Sequence, residues 1–271
     1  LSPIHNLESY VKLAKQIESL GVGSICVKDM AGIMSPKEGY DLVKALKETV
    51  KVPVVVHTHS TTGLGFMTLL KCVEAGADVI DTAISSFSGG TSQPATETLV
   101  YALRQLGYEV GVDEKVCKEI NDFFKPIRDK ALKSGLLNPV VMGTQTDALI
   151  YQIPGGMLSN LVAQLTAQKK LDKLDEVLEE TPRVRKDLGY PPLVTPMSQM
   201  VGVQATANVL AGERYKNISK EVKSYIKGEY GKAPGEVSPE LQKLVLGDEK
   251  PYTGRFADTL EPGVEAARAY L

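Results

Sequence analysis

The stretch Val52-Pro-Val-Val-Val-His-Thr-His-Ser-Thr-Thr-Gly63 joins a short β-branched apolar run to a polar loop rich in hydroxyl residues. A run of this kind predicts a buried strand, and the loop after it predicts the turn into a helix. Similar strand patterns occur at Val22–Val27 and around Asp78–Ala83, with helical patterns between them. Strands separated by helices pair in parallel through right-handed crossovers. The sequence therefore predicts an α/β fold, either a doubly wound sheet or a (β/α) barrel.

Capping residues mark the starts of the predicted helices. Apolar residues at spacings of three and four predict a helix from Asn6 to Leu20, with Asn6 as its N-cap. Ser35 followed by Pro36 predicts the start of the next helix, because proline is favoured at the first helical position.

The pattern changes in the middle of the chain. Tyr108–Val112 is predicted as a fourth strand. From residue 113 onward the apolar residues fall mainly at helical spacing. We therefore predict two domains, an α/β region over 1–112 and a mainly helical region over 113–271.

Composition and charge exclude several classes of protein. The chain has 271 residues, with 31 Lys and Arg against 33 Asp and Glu, so it lacks the basic excess that nucleic-acid binding needs. No apolar run approaches the roughly 20 residues that cross a bilayer. The three cysteines, Cys26, Cys72 and Cys117, are odd in number and far apart, which favours a reducing cytoplasm. Cys26 lies in the first strand run and is predicted to be a core residue.

The segment Val54-Val-Val-His57-Thr-His59 carries two of the three histidines in the chain. Side chains two residues apart on a strand point to the same face, so the two imidazoles can converge on one point. Imidazole is the commonest nitrogen ligand of divalent metals. His57 and His59 are therefore predicted metal ligands, at the carboxyl end of a strand, where α/β proteins place their active sites.

The first strand also ends in charged residues, Lys28 and Asp29. One interpretation is structural: Lys28 is simply the first solvated residue, and Asp29 pairs with it or accepts hydrogen bonds from loop amides. The other is chemical, because a neutral Lys28 amine can combine with carbon dioxide to give a carbamate, an anionic oxygen ligand for a metal. Lys28, His57 and His59 would then form one ligand set.

The loop from Ser85 to Pro94 follows the third strand and lies on the same predicted rim. Its glycines and hydroxyls suit close approach to a polar ligand, and Thr91 could pass a proton between two bound molecules. The alternative is that Thr91 or Ser92 only caps the following helix. Residue spacing does not separate the two interpretations.

Taken together, these motifs resemble those of the biotin-dependent carboxyltransferases, a family that includes pyruvate carboxylase and oxaloacetate decarboxylase. The resemblance covers nearly the whole chain. The segments that carry it are Lys28-Asp-Met-Ala-Gly32, His57-Thr-His-Ser-Thr-Thr-Gly63, Asp81-Thr-Ala83, Thr91-Ser-Gln-Pro94, Tyr151-Gln-Ile-Pro-Gly-Gly-Met157, Val194-Thr-Pro-Met-Ser-Gln199 with Val201-Gly202, and Gly212-Glu-Arg-Tyr215.

The resemblance implies roles for individual residues. Lys28 matches a carboxylated lysine, and His57 and His59 match paired ligands of a divalent metal, usually zinc, with manganese or cobalt as other possibilities. Thr91 matches a threonine that shuttles a proton between biotin and the enol of pyruvate, and we expect Ser92 and Gln93 to contact substrate or biotin. The metal would favour the pyruvate enolate, which captures carbon dioxide released from carboxybiotin. In reverse, oxaloacetate passes its carboxyl group to biotin.

The resemblance also implies partners. The family's barrel begins with a strand that carries an aspartate metal ligand, and no such motif precedes the first strand here. We therefore expect this chain to be the C-terminal half of a (β/α)8 TIM-type barrel followed by a helical funnel, with the N-terminal barrel half supplied from elsewhere. Biotin would be carried on a separate domain or subunit. A homo-oligomer is expected, with a membrane involved only indirectly through pump subunits.

Two other functions remain open on the sequence. A related group of lyases and synthases, which act beside an acyl-CoA, uses a similar barrel with a His-x-His metal pair, and Lys28 and the Thr91-Ser-Gln-Pro94 segment separate this chain from it. A half-barrel could also be a noncatalytic assembly module. Metal content and biotin-dependent exchange of labelled pyruvate would distinguish such a module from an enzyme.

Overall fold

The computed structural model describes residues 4–151 and 153–270, and it confirms the alternation of strands and helices in the first part of the chain. Its first elements are α1 (Leu7–Ser19), β1 (Ile25–Asp29), α2 (Pro36–Lys47), β2 (Val54–Thr58), α3 (Gly65–Glu74), β3 (Val79–Ile80) and α4 (Thr96–Gln105). Within the described residues the strands form one parallel sheet in the order β1-β2-β3.

The remainder is helical, as predicted from residue 113 onward. The elements are α5 (Glu114–Lys133), α6 (Asp147–Tyr151), α7 (Gly155–Ala167), α8 (Leu174–Asp187), α9 (Met197–Ala211), α10 (Lys220–Ile226), α11 (Pro239–Leu246) and α12 (Val264–Tyr270). Short 3₁₀ turns lie at Ser85–Phe87, Pro139–Met142, Leu171–Lys173 and Phe256–Thr259. Across the described ranges, no helix combines the length and apolar character needed to cross a membrane.

The helix starts confirm the predicted caps. The Asn6 side chain accepts a hydrogen bond from the Ser9 amide at 2.9 Å, which satisfies one of the free donors at the start of α1. At α2, Ser35 and Glu38 form a capping box, and Pro36 stands at the first helical position.

The sheet buries one face and leaves the other open. Val54 and Val56 of β2 are fully buried and pack with Val27 of β1 against α2 and α3. Burial of each such side chain contributes about 1.5–3 kcal/mol. On the opposite face Cys26 and Lys28 are exposed. The prediction that Cys26 is a core residue is therefore wrong, because the alternation of β1 points it away from the core.

The predicted fourth strand, Tyr108–Val112, is also wrong. The segment has no strand pairing, and its backbone bonds locally instead. Arg104 donates from its guanidinium to the carbonyl oxygens of Val110 and Val112, at 3.1 and 2.5 Å. Alternating apolar residues form a strand only where a neighbouring strand can bond to their backbone. Here the Arg104 side chain bonds to the carbonyl oxygens of Val110 and Val112 instead.

By its internal contacts the chain forms two compact units, one running up to Leu171 and the other beginning at Asp172. Residues 113–171 therefore belong to the same compact unit as the sheet. The predicted boundary at 112/113 is a different one, between barrel and funnel, and it stays a prediction.

A buried carboxylate organises the second unit. Glu180 of α8 accepts hydrogen bonds from Asn208 of α9 at 2.8 Å and from Arg214 at 2.7 Å. Arg214 also donates to Asp187 at 2.7 Å, and the Tyr215 hydroxyl donates to the same Asp187 oxygen. Charge-assisted bonds of this kind offset the cost of burying Glu180. They hold the turn after α9 against α8, and the Tyr215 amide, which donates to Asn208 Oδ1 at 2.9 Å, holds it against α9.

Asp29 performs the corresponding task in the first unit. Its side chain is buried, and its two oxygens accept hydrogen bonds from the amides of Ile33 and Met34 at 3.2 and 2.9 Å. The Thr58 hydroxyl donates to it from the end of β2 at 2.9 Å. Of the two structural roles considered for Asp29, the acceptor of loop amides is confirmed.

Replacement of Asp29 by alanine should destabilise the fold, because the buried donors of Met34 and Thr58 and the part-buried amide of Ile33 lose this acceptor. We expect Asp29→Ala to lower the free energy of unfolding by about 3 kcal/mol. The control is Asp41→Ala, which removes only an exposed ion pair with Lys37 and should change little. Urea denaturation followed by circular dichroism measures both variants, and equal midpoints for the two would contradict the role assigned to Asp29.

Candidate metal centre

The parallel register of β1 and β2 brings the predicted ligands to one place. Lys28 lies directly opposite His57, so both side chains project from the open face of the sheet. His59 follows β2, and its amide donates to the Asp29 carbonyl at 3.2 Å. The loop after β2 is thereby held against the end of β1.

The two imidazoles converge through their Nε2 atoms, which lie 3.1 Å apart. The Nδ1 atom of each ring is bonded elsewhere: His57 Nδ1 to a carboxylate oxygen of Asp81 at 2.9 Å, and His59 Nδ1 to the Thr91 carbonyl at 2.6 Å. An acceptor at Nδ1 places the ring hydrogen there and leaves Nε2 with a lone pair that can accept a hydrogen bond or bind a metal. Two lone pairs therefore face the same point.

A divalent metal fits this arrangement. With metal–nitrogen bonds of about 2.1 Å, two ligand nitrogens on one ion lie about 3.0–3.4 Å apart. The observed separation of the His57 and His59 Nε2 atoms is 3.1 Å. Burial lowers the pKa of His59, which favours the neutral, ligating form of its imidazole.

Gln93 covers the pair of histidines. Its amide nitrogen lies 3.2 Å from both Nε2 atoms, so the amide donors satisfy the two lone pairs. Within the described ranges, no group of three or more His, Cys, Asp or Glu side chains is arranged to hold a metal. A complete ligand set therefore needs a donor of another kind, or one from outside these residues.

Thr91 lies beside the histidines, and its position removes one of the alternatives. Helix α4 begins at Thr96 with Ala95 as N-cap, and no side chain caps it. The proposed caps, Thr91 and Ser92, are therefore wrong, because both precede the N-cap position, which Ala95 occupies. The Thr91 amide donates to Val141 at 2.9 Å, and among the described residues its hydroxyl makes no hydrogen bond.

Sequence reasoning missed the residues that orient the two imidazoles. Asp81 follows β3, and as a carboxylate at the end of the third strand it shares an edge of the sheet with the histidines. That position was a usable signal. No sequence signal identifies the Thr91 carbonyl, because every residue type has a backbone carbonyl.

Two family models together match most of the chain. Residues 4–124 match the model described as HMGL-like, and residues 148–271 match the one described as a conserved carboxylase domain.

Individual proteins that are similar to this chain are also carboxylase or carboxyltransferase subunits. The chain is 55% identical over 269 residues to a subunit of pyruvate carboxylase from Methanocaldococcus jannaschii, covering 99% of this chain and 47% of that protein. It is 46% identical to the methylmalonyl-CoA carboxyltransferase 5S subunit of Propionibacterium freudenreichii, covering 97% of this chain and 52% of that protein. The chain thus spans about half the length of the relatives it matches.

A solved structure has the same fold. The carboxyl transferase domain of Rhizobium etli pyruvate carboxylase, with pyruvate and biocytin, is similar with a TM-score of 0.89 at 30% identity. The match covers 99% of this chain and 46% of that one.

The Asp81 carboxylate should control the metal affinity of this candidate centre, because it bonds to His57 Nδ1 and so orients the ring. We expect Asp81→Ala to weaken Zn²⁺ binding by about 10–100-fold, since His57 loses the partner that orients its ring. Asp78→Ala is the control, because the Asp78 carboxylate binds Lys47 and the Val54 amide instead. Competition with a chromophoric chelator measures both affinities. Unchanged affinity in Asp81→Ala would show that the ion does not use His57.

Proposed function

Because this chain belongs to the family of biotin-dependent carboxyltransferases, we propose that it moves a carboxyl group between carboxybiotin and pyruvate or oxaloacetate. The strongest support is the convergence of the His57 and His59 Nε2 atoms at the carboxyl ends of parallel strands. Polar groups at this edge of a sheet are where α/β folds assemble active sites.

His57 and His59 would hold a divalent metal, with zinc as the first candidate and manganese or cobalt as others. When bound, the metal supplies positive charge that stabilises the enolate form of pyruvate. Asp81 and the Thr91 carbonyl keep the two rings oriented toward it. The Gln93 amide, which contacts both imidazoles, must move aside when a metal binds. From this position Gln93 would contact substrate or biotin, together with Ser92.

Lys28 supplies the third ligand in this proposal. It lies opposite His57 on the open face, where its amine can meet dissolved carbon dioxide. The amine nitrogen bonds to the carbon of carbon dioxide and releases a proton, which gives a carbamate with two oxygen donors. An ammonium group so near a cation would be repelled, whereas a carbamate is attracted.

Thr91 serves as the proton relay. Its hydroxyl is free of hydrogen bonds within the described residues, and its own carbonyl lies 2.6 Å from His59. The hydroxyl can take a proton from one bound molecule as it gives its own to the other, so that biotin and the enol of pyruvate exchange a proton at Thr91 Oγ1.

We further propose that residues 1–112 form the C-terminal half of a (β/α)8 barrel and that 113–271 form the funnel. The other barrel half, with an aspartate ligand, would belong to the part of the relatives that this chain does not match. A biotinyl carrier domain is the second partner, and a homo-oligomer is expected. Three free cysteines, Cys26, Cys72 and Cys117, fit a cytoplasmic location.

Lys28→Arg tests the ligand and the function together. Arginine keeps the positive charge but cannot form a carbamate, so the complete protein should lose its third metal ligand. Since the metal is worth several kcal/mol, biotin-dependent decarboxylation of oxaloacetate should fall by at least about 100-fold. Elemental analysis and a pyruvate-release assay measure the two effects.

Lys37→Arg is the control, because the Lys37 side chain is exposed on the outer side of α2, and it should behave as wild type. Retention of metal and activity in Lys28→Arg would show that Lys28 is only a solvated lysine. Absence of any biotin-dependent reaction in the wild type would contradict the proposed function itself.

Thr91→Ala should slow the same reaction by about 10²–10⁴-fold, whereas Thr91→Ser keeps the hydroxyl and should retain most of the rate. Stability should hardly change, because the hydroxyl neither caps α4 nor bonds within the described residues. Thr195→Ala is the comparison, since Thr195 is the threonine of another segment that carries the resemblance. Slowing of less than about threefold in Thr91→Ala would remove the relay role from Thr91, whatever the activity of Thr195→Ala.

A further inference from the structure

The Ile153-Pro-Gly-Gly-Met157 segment lies behind the metal site and has no role in the proposed reaction. Helix α7 begins at Gly155 with Pro154 as N-cap, and Ile153 and Met157 on either side are almost completely buried. The Ser159 hydroxyl donates to the Gly155 carbonyl at 2.9 Å. The first turn of α7 is therefore buried within the first unit.

Gly155 touches the loops of the metal site where a side chain would have no room. A Cβ atom at Gly155 would lie 2.7 Å from Thr61 Oγ1, 2.8 Å from Thr91 Cγ2 and 3.0 Å from Thr91 Cβ. These distances are well inside the 3.5–4.0 Å optimum for such contacts. At Gly156, by contrast, a Cβ would meet nothing within 4 Å. The close approach is thus particular to the first residue of the helix.

The same two threonines belong to the loops that hold His59. The Thr91 carbonyl accepts from His59 Nδ1 at 2.6 Å, and the Thr91 amide donates to Val141 at 2.9 Å. The Thr61 carbonyl accepts from the Gln145 amide at 2.7 Å. The segment that contains Val141 and Gln145 therefore holds the backbone of Thr61 and Thr91 by hydrogen bonds. Helix α7 packs against the side chains of the same two threonines.

We propose that Gly155 is a positioning residue for the metal pair. Its missing side chain lets α7 lie against Thr61 and Thr91, which keeps the Thr91 carbonyl in line with His59 Nδ1 and so aims His59 Nε2 at the ion. This inference rests on the proposed metal site, but the hydrogen bond it concerns exists without the ion.

Gly155→Ala tests it, with Gly156→Ala as the matched control in the same turn. The first readout is the ¹⁵N spectrum of the His59 imidazole in the complete, metal-free protein, with the resonances assigned by comparison with His59→Gln. Gly155→Ala should lose the pure Nδ1–H tautomer, and Gly156→Ala should keep it. The second readout is Zn²⁺ affinity, which should fall by about 10–100-fold only in Gly155→Ala, the usual effect of losing a partner that orients a ligand.

Thr61→Val is the milder variant, useful if Gly155→Ala does not fold. It puts a methyl group where Thr61 Oγ1 faces Gly155, and that hydroxyl is buried without a hydrogen-bond partner in the described residues, so little bonding is lost. We expect about a tenfold weaker Zn²⁺ affinity and the same spectral change.

The outcomes separate the two claims. A folded Gly155→Ala or Thr61→Val protein with the wild-type His59 spectrum and affinity overturns the role of Gly155. A changed His59 spectrum in a protein whose wild type binds no metal supports the positioning by Gly155 and contradicts the metal site.

Discussion

The parallel pairing of β1 with β2 is the constraint on which the candidate site depends. It sets Lys28 opposite His57, and since alternate residues of a strand face opposite sides, it also sends Asp29 and Val56 into the core. A slip of β1 by one residue against β2 would bury Lys28 and expose Val27, a change the core does not permit. Packing of the buried side chains of β1 and β2 therefore fixes which residues face each other on the open side of the sheet.

Hydrogen bonds from the next layer of residues turn this register into a chemical centre. A carboxylate and a backbone carbonyl each accept from the Nδ1 atom of one imidazole, so both Nε2 lone pairs point toward each other. The groups that do this come from the end of β3 and the loop after it, and α7 packs against that loop at Gly155. The orientation of the two imidazoles is thus imposed by neighbours that would not contact a bound ion, which is how metal sites are commonly tuned.

Local signals were sufficient for much of the fold. The caps at Asn6 and Ser35 and the three strands were predictable because a cap or a buried apolar run acts within a few residues. Tyr108–Val112 failed because a strand needs a partner, which the sequence pattern does not show. The convergence of His57 and His59 was predictable from their spacing, since one strand end carries both.

The contacts that orient the site were beyond local reasoning. Asp81 and Thr91 reach the histidines across separations of 24 and 32 residues, and Gly155 lies still further along the chain. Each depends on how elements pack, which residue type alone does not reveal.

The central claim is that His57 and His59 hold one divalent metal ion. X-ray absorption at the zinc edge of the purified complete protein tests it most directly, with His59→Gln as the matched variant. The account predicts scattering from two imidazole nitrogens at about 2.0–2.1 Å in the wild type and from one in the variant. A wild-type spectrum without imidazole scattering, or one that His59→Gln leaves unchanged, would contradict it.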